Sequence, residues 1–312
     1  MKISLDSLTV LDAIDRRASF AAAAEELHRV PSAVTYSVSK LEQDLGVTLF
    51  DRSGHRAVLT AAGRELLDEG RHLLRAAAGL ENRIKRVATG WEAELHIAIG
   101  DLINLEAVYE LVQQFFDEEA GTRIRLIEEV YGGTWDALVS GRADLVIGAP
   151  GEGPPGGGYA TSQIGRVDFV FAMTPDHPLA SLPEPLKPSD ILAYRSVSAA
   201  DSSRNLPPRT SGLLSGQEVL TVNDMLAKYQ AQLMGLGVGF LPRTWIATDV
   251  AAGRLVTREV EENKETAMSV VAWRSDHVGR ALRWFLDHLQ DETWRARLVA
   301  APWPNKRYSG AI

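Results

Sequence analysis

The chain has 312 residues and no cysteine; 45% of it is hydrophobic, 24% is charged, and 33 Lys+Arg against 41 Asp+Glu leave a formal charge of -8. Ample apolar material at this length excludes a disordered or collagen-like chain and predicts more than one core. The missing thiols exclude a disulfide framework, a thiolate metal site and a cysteine nucleophile, and fit a reducing cytoplasm.

The N-terminus, Met1-Lys2-Ile3-Ser4-Leu5-Asp6, turns polar where a secretory signal would be apolar. No apolar run reaches the roughly 20 residues of a membrane span, so the expected place is the cytoplasm, with no membrane partner. Charge is unevenly spread: 13 basic and 12 acidic residues lie up to position 90, and 20 basic against 29 acidic beyond it. An acidic body is repelled by DNA and would confine any nucleic-acid contact to the N-terminal part.

From Leu5 to Leu49 apolar residues recur at helical spacing in three blocks: Leu8, Leu11, Ile14; Phe20, Ala23, Ala24, Leu27; Val34, Val38, Leu41, Leu45. Ser19 is placed to cap the second helix, and Pro31 to open the third, where its missing N–H costs nothing. Two helices joined by the short turn His28-Arg29-Val30, the first packed through alanines, read as a helix-turn-helix whose last helix is the recognition helix. Beyond Gly46, two short apolar runs around Ser53-Gly54 read as a hairpin wing, with Arg52, His55 and Arg56 near its tip, where cations reach phosphate.

Phe20-Ala21-Ala22-Ala23-Ala24-Glu25-Glu26-Leu27, then Leu41-Glu42-Gln43-Asp44-Leu45-Gly46-Val47-Thr48-Leu49-Phe50-Asp51-Arg52, then Leu59-Thr60-Ala61-Ala62-Gly63 resemble the N-terminal signature of LysR-type transcriptional regulators. The resemblance implies that Ser32, Ala33, Thr35, Tyr36, Ser39 and Lys40 meet the major groove of double-stranded DNA. Arg29, Arg52, His55 and Arg56 complete the expected DNA-binding set. The reading helix departs from the usual pattern: Pro31-Ser32-Ala33-Val34-Thr35-Tyr36 lacks the glutamine and arginine that would pair bidentately with adenine and guanine. Readout then leans on Ser32, Thr35, Tyr36, methyl contacts and DNA shape.

From Ala61 to about Thr89 there is no proline, and Leu66, Leu73, Leu80 and Val87 repeat every seven residues, joined by Ala77 and Ile84. A long helix with such a stripe packs either on its own body or on a second copy. The resemblance implies the second, a homodimer or homotetramer through Leu66, Leu73, Leu80, Ile84 and Val87, hence a pseudo-palindromic operator.

Past Trp91 short β-rich runs alternate with helices: strands at Glu94-Ile99, Ile124-Glu128 and Asp144-Ala149, helices at about Asn104-Glu119 and Thr134-Ser140. This predicts an open, mostly parallel sheet with ligand space at the strand C-terminal ends. Asp168-Leu179 resembles the crossover between the subdomains of LysR-type effector domains, Gly235-Pro242 resembles a stretch of the second subdomain, and Met268-Trp273 would return to the first.

The fold class is therefore α/β: an N-terminal winged helix-turn-helix (1–60), a linker helix (61–90), a two-subdomain effector-binding domain of periplasmic-binding-protein type (91–296) and a C-terminal tail (297–312). Subdomain I is 91–165 with 268–296, and subdomain II is 166–267.

Gly235, Gly237 and Gly239 mimic a dinucleotide loop but follow a helix and enter a strand, the reverse of the order phosphate binding needs. Gly151-Gly158 lacks the lysine and hydroxyl of a P-loop and reads as a loop. The seven histidines form no metal-ligand pair, no nucleophile elbow is present, and no enzyme activity, metal or cofactor is expected. Strand ends place an effector among Gly100, Asp101, Leu102, Ile103, Asn104, Ser198, Asp201, Arg204, Val222 and Asn223. Helix N-termini near Asn104 and Asn223 favour an anion, a small organic or aromatic carboxylate by the resemblance; Asp101 opposes it, unless that residue caps the helix that follows. Such a ligand would shift the subunit arrangement and so contact with DNA and RNA polymerase. The alternative is a small-molecule-binding module without a DNA role.

Overall fold

The computed structural model describes residues 2–51, 58–151, 153–262, 266–275 and 278–300, in two compact units, Met1–Ile84 and Lys85–Ile312. In the first unit, α1 (Leu5–Arg17), α2 (Phe20–Glu26) and α3 (Pro31–Leu45) are followed by β1 (Phe50–Asp51), β2 (Val58–Leu59) and α4 (Ala61–Thr89). Ser4 and Ser7 form a reciprocal capping box on α1, Ser19 Oγ accepts from Ala22 N at 3.4 Å, and Pro31 sits in the first turn of α3. Gly46, at φ 73°, ends α3 in the left-handed region where a side chain would be strained. Leu8, Leu11, Ile14, Ala23, Ala24, Val34, Val38 and Leu41 are all buried. Each block of helical spacing thus points inward.

The first turns of α4 belong to this unit. Leu67 is fully buried and Leu66 packs on the same core. A Cβ on Gly70 would stand 2.7 Å from Leu8 Cδ2, so that glycine lets α4 lie against α1. Arg71 ties them with contacts of 2.8 Å to Asp12 and 2.9 Å to Asp15. Leu66, expected in the subunit seam, is therefore part of the head's own core.

The second unit continues with β3 (Glu94–Gly100), α5 (Leu105–Phe116), β4 (Arg123–Glu129), α6 (Gly133–Val139), β5 (Leu145–Pro150), β6 (Tyr159–Val167) and β7 (Phe169–Met173). Then come α7 (Pro188–Leu192), β8 (Ser196–Ala199), β9 (Val219–Val222), α8 (Met225–Leu233), β10 (Gly239–Pro242), α9 (Arg243–Ala251), β11 (Val256–Arg258), β12 (Ala267–Arg274), α10 (Arg280–Gln290) and α11 (Glu292–Val299).

The first sheet runs β4-β3-β5-β12-β6, parallel between β3 and its two neighbours and antiparallel on both sides of β12. It is mixed rather than mostly parallel, because the returning β12 inserts between β5 and β6. Leu95, Ile97 and Ile99 pack with Phe115, Phe285 and Leu298 in one core, and Ala98, Val146 and Ala272 with Trp135 in another. Helix α11 passes the expected boundary at 296, and Leu298 is fully buried.

In the second subdomain β10-β7-β11 is antiparallel, β8 and β9 are parallel, and a bridge from Ser196 to Val238 joins the two groups. The chain crosses outward at Val167-Asp168 and back at Thr266-Ala267, where Thr266 Oγ1 donates to Asp168 Oδ1 at 2.8 Å. Among the described residues no helix is long and apolar enough to cross a membrane.

Candidate nucleic-acid interface and effector cleft

Along α3 the exposed residues Ser32, Thr35, Tyr36, Ser39 and Lys40 follow the spacing i, i+3, i+4, i+7, i+8, which is one face of a helix. Val34 and Val38 beneath are buried, and Ala33 lies at the margin. Tyr36 is 68% exposed, which no packing demand of this unit explains. Thr35 Oγ1 donates to Pro31 O at 3.0 Å, leaving its methyl and an acceptor lone pair outward. Lys40 lies 3.6 Å from Asp44, an exposed i,i+4 pair that a phosphate can replace.

Arg29 carries an internal duty: its guanidinium grips both Asp6 oxygens, at 2.5 and 3.1 Å, and joins the turn to the start of α1. Hydrogen bonding to Arg29 holds the Asp6 carboxyl below its usual value, against the opposing effect of partial burial.

The wing is joined to α3 by Glu42, whose Oε1 accepts from Leu49 N at 2.7 Å and Phe50 N at 3.3 Å. Phe50 pairs antiparallel with Leu59, as a hairpin requires. Arg52, His55 and Arg56 lie outside the described residues. Thr60 Oγ1 accepts from Gly63 N at 3.1 Å and donates to Thr48 O at 2.7 Å. A Cβ on Gly63 would stand 2.2 Å from Leu49 O, so the Leu59-Gly63 motif ends in glycine for contact reasons.

Beyond the head's core, α4 exposes an apolar seam: Leu73, Leu80, Ile84 and Val87 are 54, 50, 62 and 88% exposed.

In the second unit the ends of β3 and β5 meet through glycines: a Cβ on Gly100 would stand 2.3 Å from Gly148 O. Asp101 Oδ2 accepts from Met225 N at 3.0 Å, so Asp101 caps α8, from the other subdomain, rather than the following helix. That helix, α5, is capped by Asn104, whose Oδ1 accepts from Glu106 N at 3.1 Å. Ile103 is a core residue against Gly148, and Leu102 packs on the core of the second subdomain.

Ser198 is buried within β8, Val222 is half-buried and its carbonyl accepts from Ala200 N at 2.8 Å, and Arg204 and Asn223 are exposed. Asp201 accepts from Gly132 N, Ser203 N and Arg209 N at 3.0, 2.7 and 2.7 Å. Ile103 thus serves the first subdomain's core, Asn104 caps its own helix, and Asp201 reaches across to Gly132.

Sequence reasoning missed the partner surface, the loop after β4. Residues 200–218, between β8 and β9, form a strap laid on it. Ser202 Oγ contacts Glu129 at 2.5 Å and accepts from Val130 N at 2.8 Å; Asn205 N and Leu206 N donate to Asp136 Oδ1 at 2.8 and 2.9 Å. Arg142 bridges the buried Glu129 and Asp136 from behind. Cβ atoms on Gly132 and Gly133 would collide with Ser203 and Ser202, so both glycines seat the strap. Tyr131, at φ 49°, has its hydroxyl pushed up to about 12 by burial and by the charges of Asp101 and Asp201. The strand-end rule, applied to β4 as well as β3, is the signal that finds this loop.

A small helical reader with a wing and a two-subdomain α/β body with a polar cleft define a ligand-responsive DNA-binding protein. Residues 5–64 match the model of the bacterial regulatory helix-turn-helix protein, lysR family, and residues 88–294 match the LysR substrate binding domain. The uncharacterized HTH-type transcriptional regulator YeeY of Escherichia coli K12 is 38% identical over 93% of this chain and 94% of its own. The probable HTH-type transcriptional regulator YhaJ of the same strain is 41% identical over 91% and 95%. The fold matches a probable transcriptional regulator, PA0477 of Pseudomonas aeruginosa, at TM-score 0.56 and 22% identity over 92% and 96% of the chains. It likewise matches full-length CbnR complexed with its target DNA, at 0.55 and 20% over 92% and 99%. The chain belongs to the LysR family of DNA-binding transcriptional regulators, with an effector-binding domain, and this is a family of regulators rather than of enzymes.

Proposed function

We propose that Ser32, Ala33, Thr35, Tyr36, Ser39 and Lys40 enter the major groove of a pseudo-palindromic operator, with wing residues Arg52, His55 and Arg56 on the flanking backbone. The observation that carries this reading is the exposed face of α3 above a buried valine pair, with Tyr36 bare at its centre. Arg29 supports the face through Asp6. The exposed seam Leu73, Leu80, Ile84 and Val87 joins copies into a dimer or tetramer, a use that explains large apolar side chains in water. The protein works in the cytoplasm and conveys its state to RNA polymerase. Selection of fragments from the source genome by the purified protein at two salt concentrations tests this: discrete dyad sites that survive the higher salt are expected, and uniform recovery would refute it.

The effector is a small organic or aromatic carboxylate that enters the cleft between the subdomains and competes with Asp101 for the N-terminus of α8. Asp101 occupies the seat a carboxylate ligand would take, so it lowers affinity and couples binding to the subdomain contact. Asp101→Asn removes that competing charge and is expected to tighten carboxylate binding about tenfold, as removal of a close like charge can. Calorimetric titration with a carboxylate panel checks it, and weaker binding by the variant would contradict the competition.

A further inference from the structure

A second cavity, of about 300 Å³, lies wholly within the second subdomain. Phe171 and Phe240, edge to face at 5.3 Å between ring centres, form part of its wall with Ile191 and Leu213, and Ser211 and Glu262 add polar groups. Among the described residues that line it, Glu262 is the one ionisable side chain. Two aromatic rings and a carboxylate suit a positively charged apolar molecule, attracted by the rings and by the acid.

The cavity shares a wall with the strap. Residues 211–214, which line the cavity, belong to the segment whose earlier residues Asp201, Ser202, Asn205 and Leu206 are bound to the first subdomain. Gly212, at φ 71°, lies against Phe240, and the strap is anchored beyond it by Gln217, whose Nε2 donates to Ile191 O at 3.2 Å and Tyr194 O at 2.9 Å. With that far end fixed, a ligand that orders residues 211–214 restricts the strap over its whole length.

We propose that this cavity is a second small-molecule site, for an apolar amine or alkylated ammonium, linked through the strap to the contact between the subdomains. It stands apart from the carboxylate reading of the cleft, and either can fail without the other. The test uses the full chain, with benzylamine, benzyl alcohol and benzoate as probes in ligand-observed NMR and calorimetry. Benzylamine is expected to bind about fivefold more tightly than benzyl alcohol, the order of one partly exposed ion pair. Benzoate is expected to bind more weakly than either.

Leu213→Trp, which fills the cavity, is expected to abolish benzylamine binding. The exposed Glu262→Gln, which asks nothing of folding, is expected to erase the preference over the alcohol. Saturating benzylamine is further expected to slow amide exchange at Asn205 and Leu206 at least twofold. Equal binding of the three probes, benzylamine affinity unchanged in both variants, or unchanged exchange at Asn205 and Leu206 would each overturn the proposal.

Discussion

The recognition face and the effector cleft put their polar residues to opposite use. On α3 the outward side chains stand in solvent over a closed apolar core, ready for a partner as large as a duplex. In the cleft the carboxylates of Asp101 and Asp201 are engaged with backbone N–H groups, and Ser202, Asn205 and Leu206 hold the strap to Glu129, Val130 and Asp136. A rigid external ligand is met by a preformed face. On the proposed reading a small internal ligand displaces contacts the protein makes with itself, and that displacement converts binding into a change of arrangement.

The sharpest way to break this contrast is at the strap. Asp136 is fully buried; its removal leaves Arg142 with Glu129 alone and two backbone amides without their acceptor. Asp136→Ala is expected to cost the body about 3–5 kcal/mol in urea unfolding, the scale of a broken buried pair, while the head unfolds as before. Burial alone would raise the Asp136 carboxyl, but Arg142 and the amides outweigh it and hold it below its ordinary 3.8. The stability it lends is therefore present above that ordinary value and lost as pH falls through the lower folded one. The gap between wild type and Asp136→Asn should be constant near neutrality and close in strong acid.

A second test separates the two halves of α4. Leu66→Ala is expected to destabilise the head by about 2 kcal/mol without changing the oligomer, since it removes packing from the head's core. Ile84→Glu places a charge on an exposed seam, so sedimentation should show dissociation with little change in head stability. The reverse pattern would return Leu66 to the subunit interface.

On the recognition face the effects are smaller. Tyr36→Ala is expected to cost about 1–3 kcal/mol on the preferred operator and little on random DNA, as for a residue that reads bases. Lys40→Ala should weaken both alike and reduce the salt slope by about one, as for a phosphate contact. Fluorescence anisotropy over a salt series distinguishes them.

What the sequence showed of all this was set by range. The Ser19 cap, Pro31 at the start of α3 and the helix to Thr89 depend on neighbours a few residues away, and each was readable. That Leu66 packs on the head's core was not readable, because a heptad repeat records a stripe and not what covers it. Strand β6 escaped notice because Tyr159-Ala160-Thr161-Ser162-Gln163-Ile164 carries few apolar residues at a sheet edge. The mixed sheet, the reach of Asp101 to Met225 and the landing of the strap on Asp136 join positions many tens of residues apart, where periodicity is silent. Gly63 stands in the sequence as part of a motif; its cause, the carbonyl of Leu49 at its α-carbon, is visible only in three dimensions.

On the proposed reading the outward face of α3 selects the operator. Genomic fragment selection with wild type and a Ser32→Ala, Thr35→Ala, Tyr36→Ala variant, side by side at two salt concentrations, tests it most directly. Discrete dyad sites are expected for wild type at both salts, and for the variant only unselective recovery that vanishes at the higher salt. The same discrete sites recovered by both proteins would contradict it.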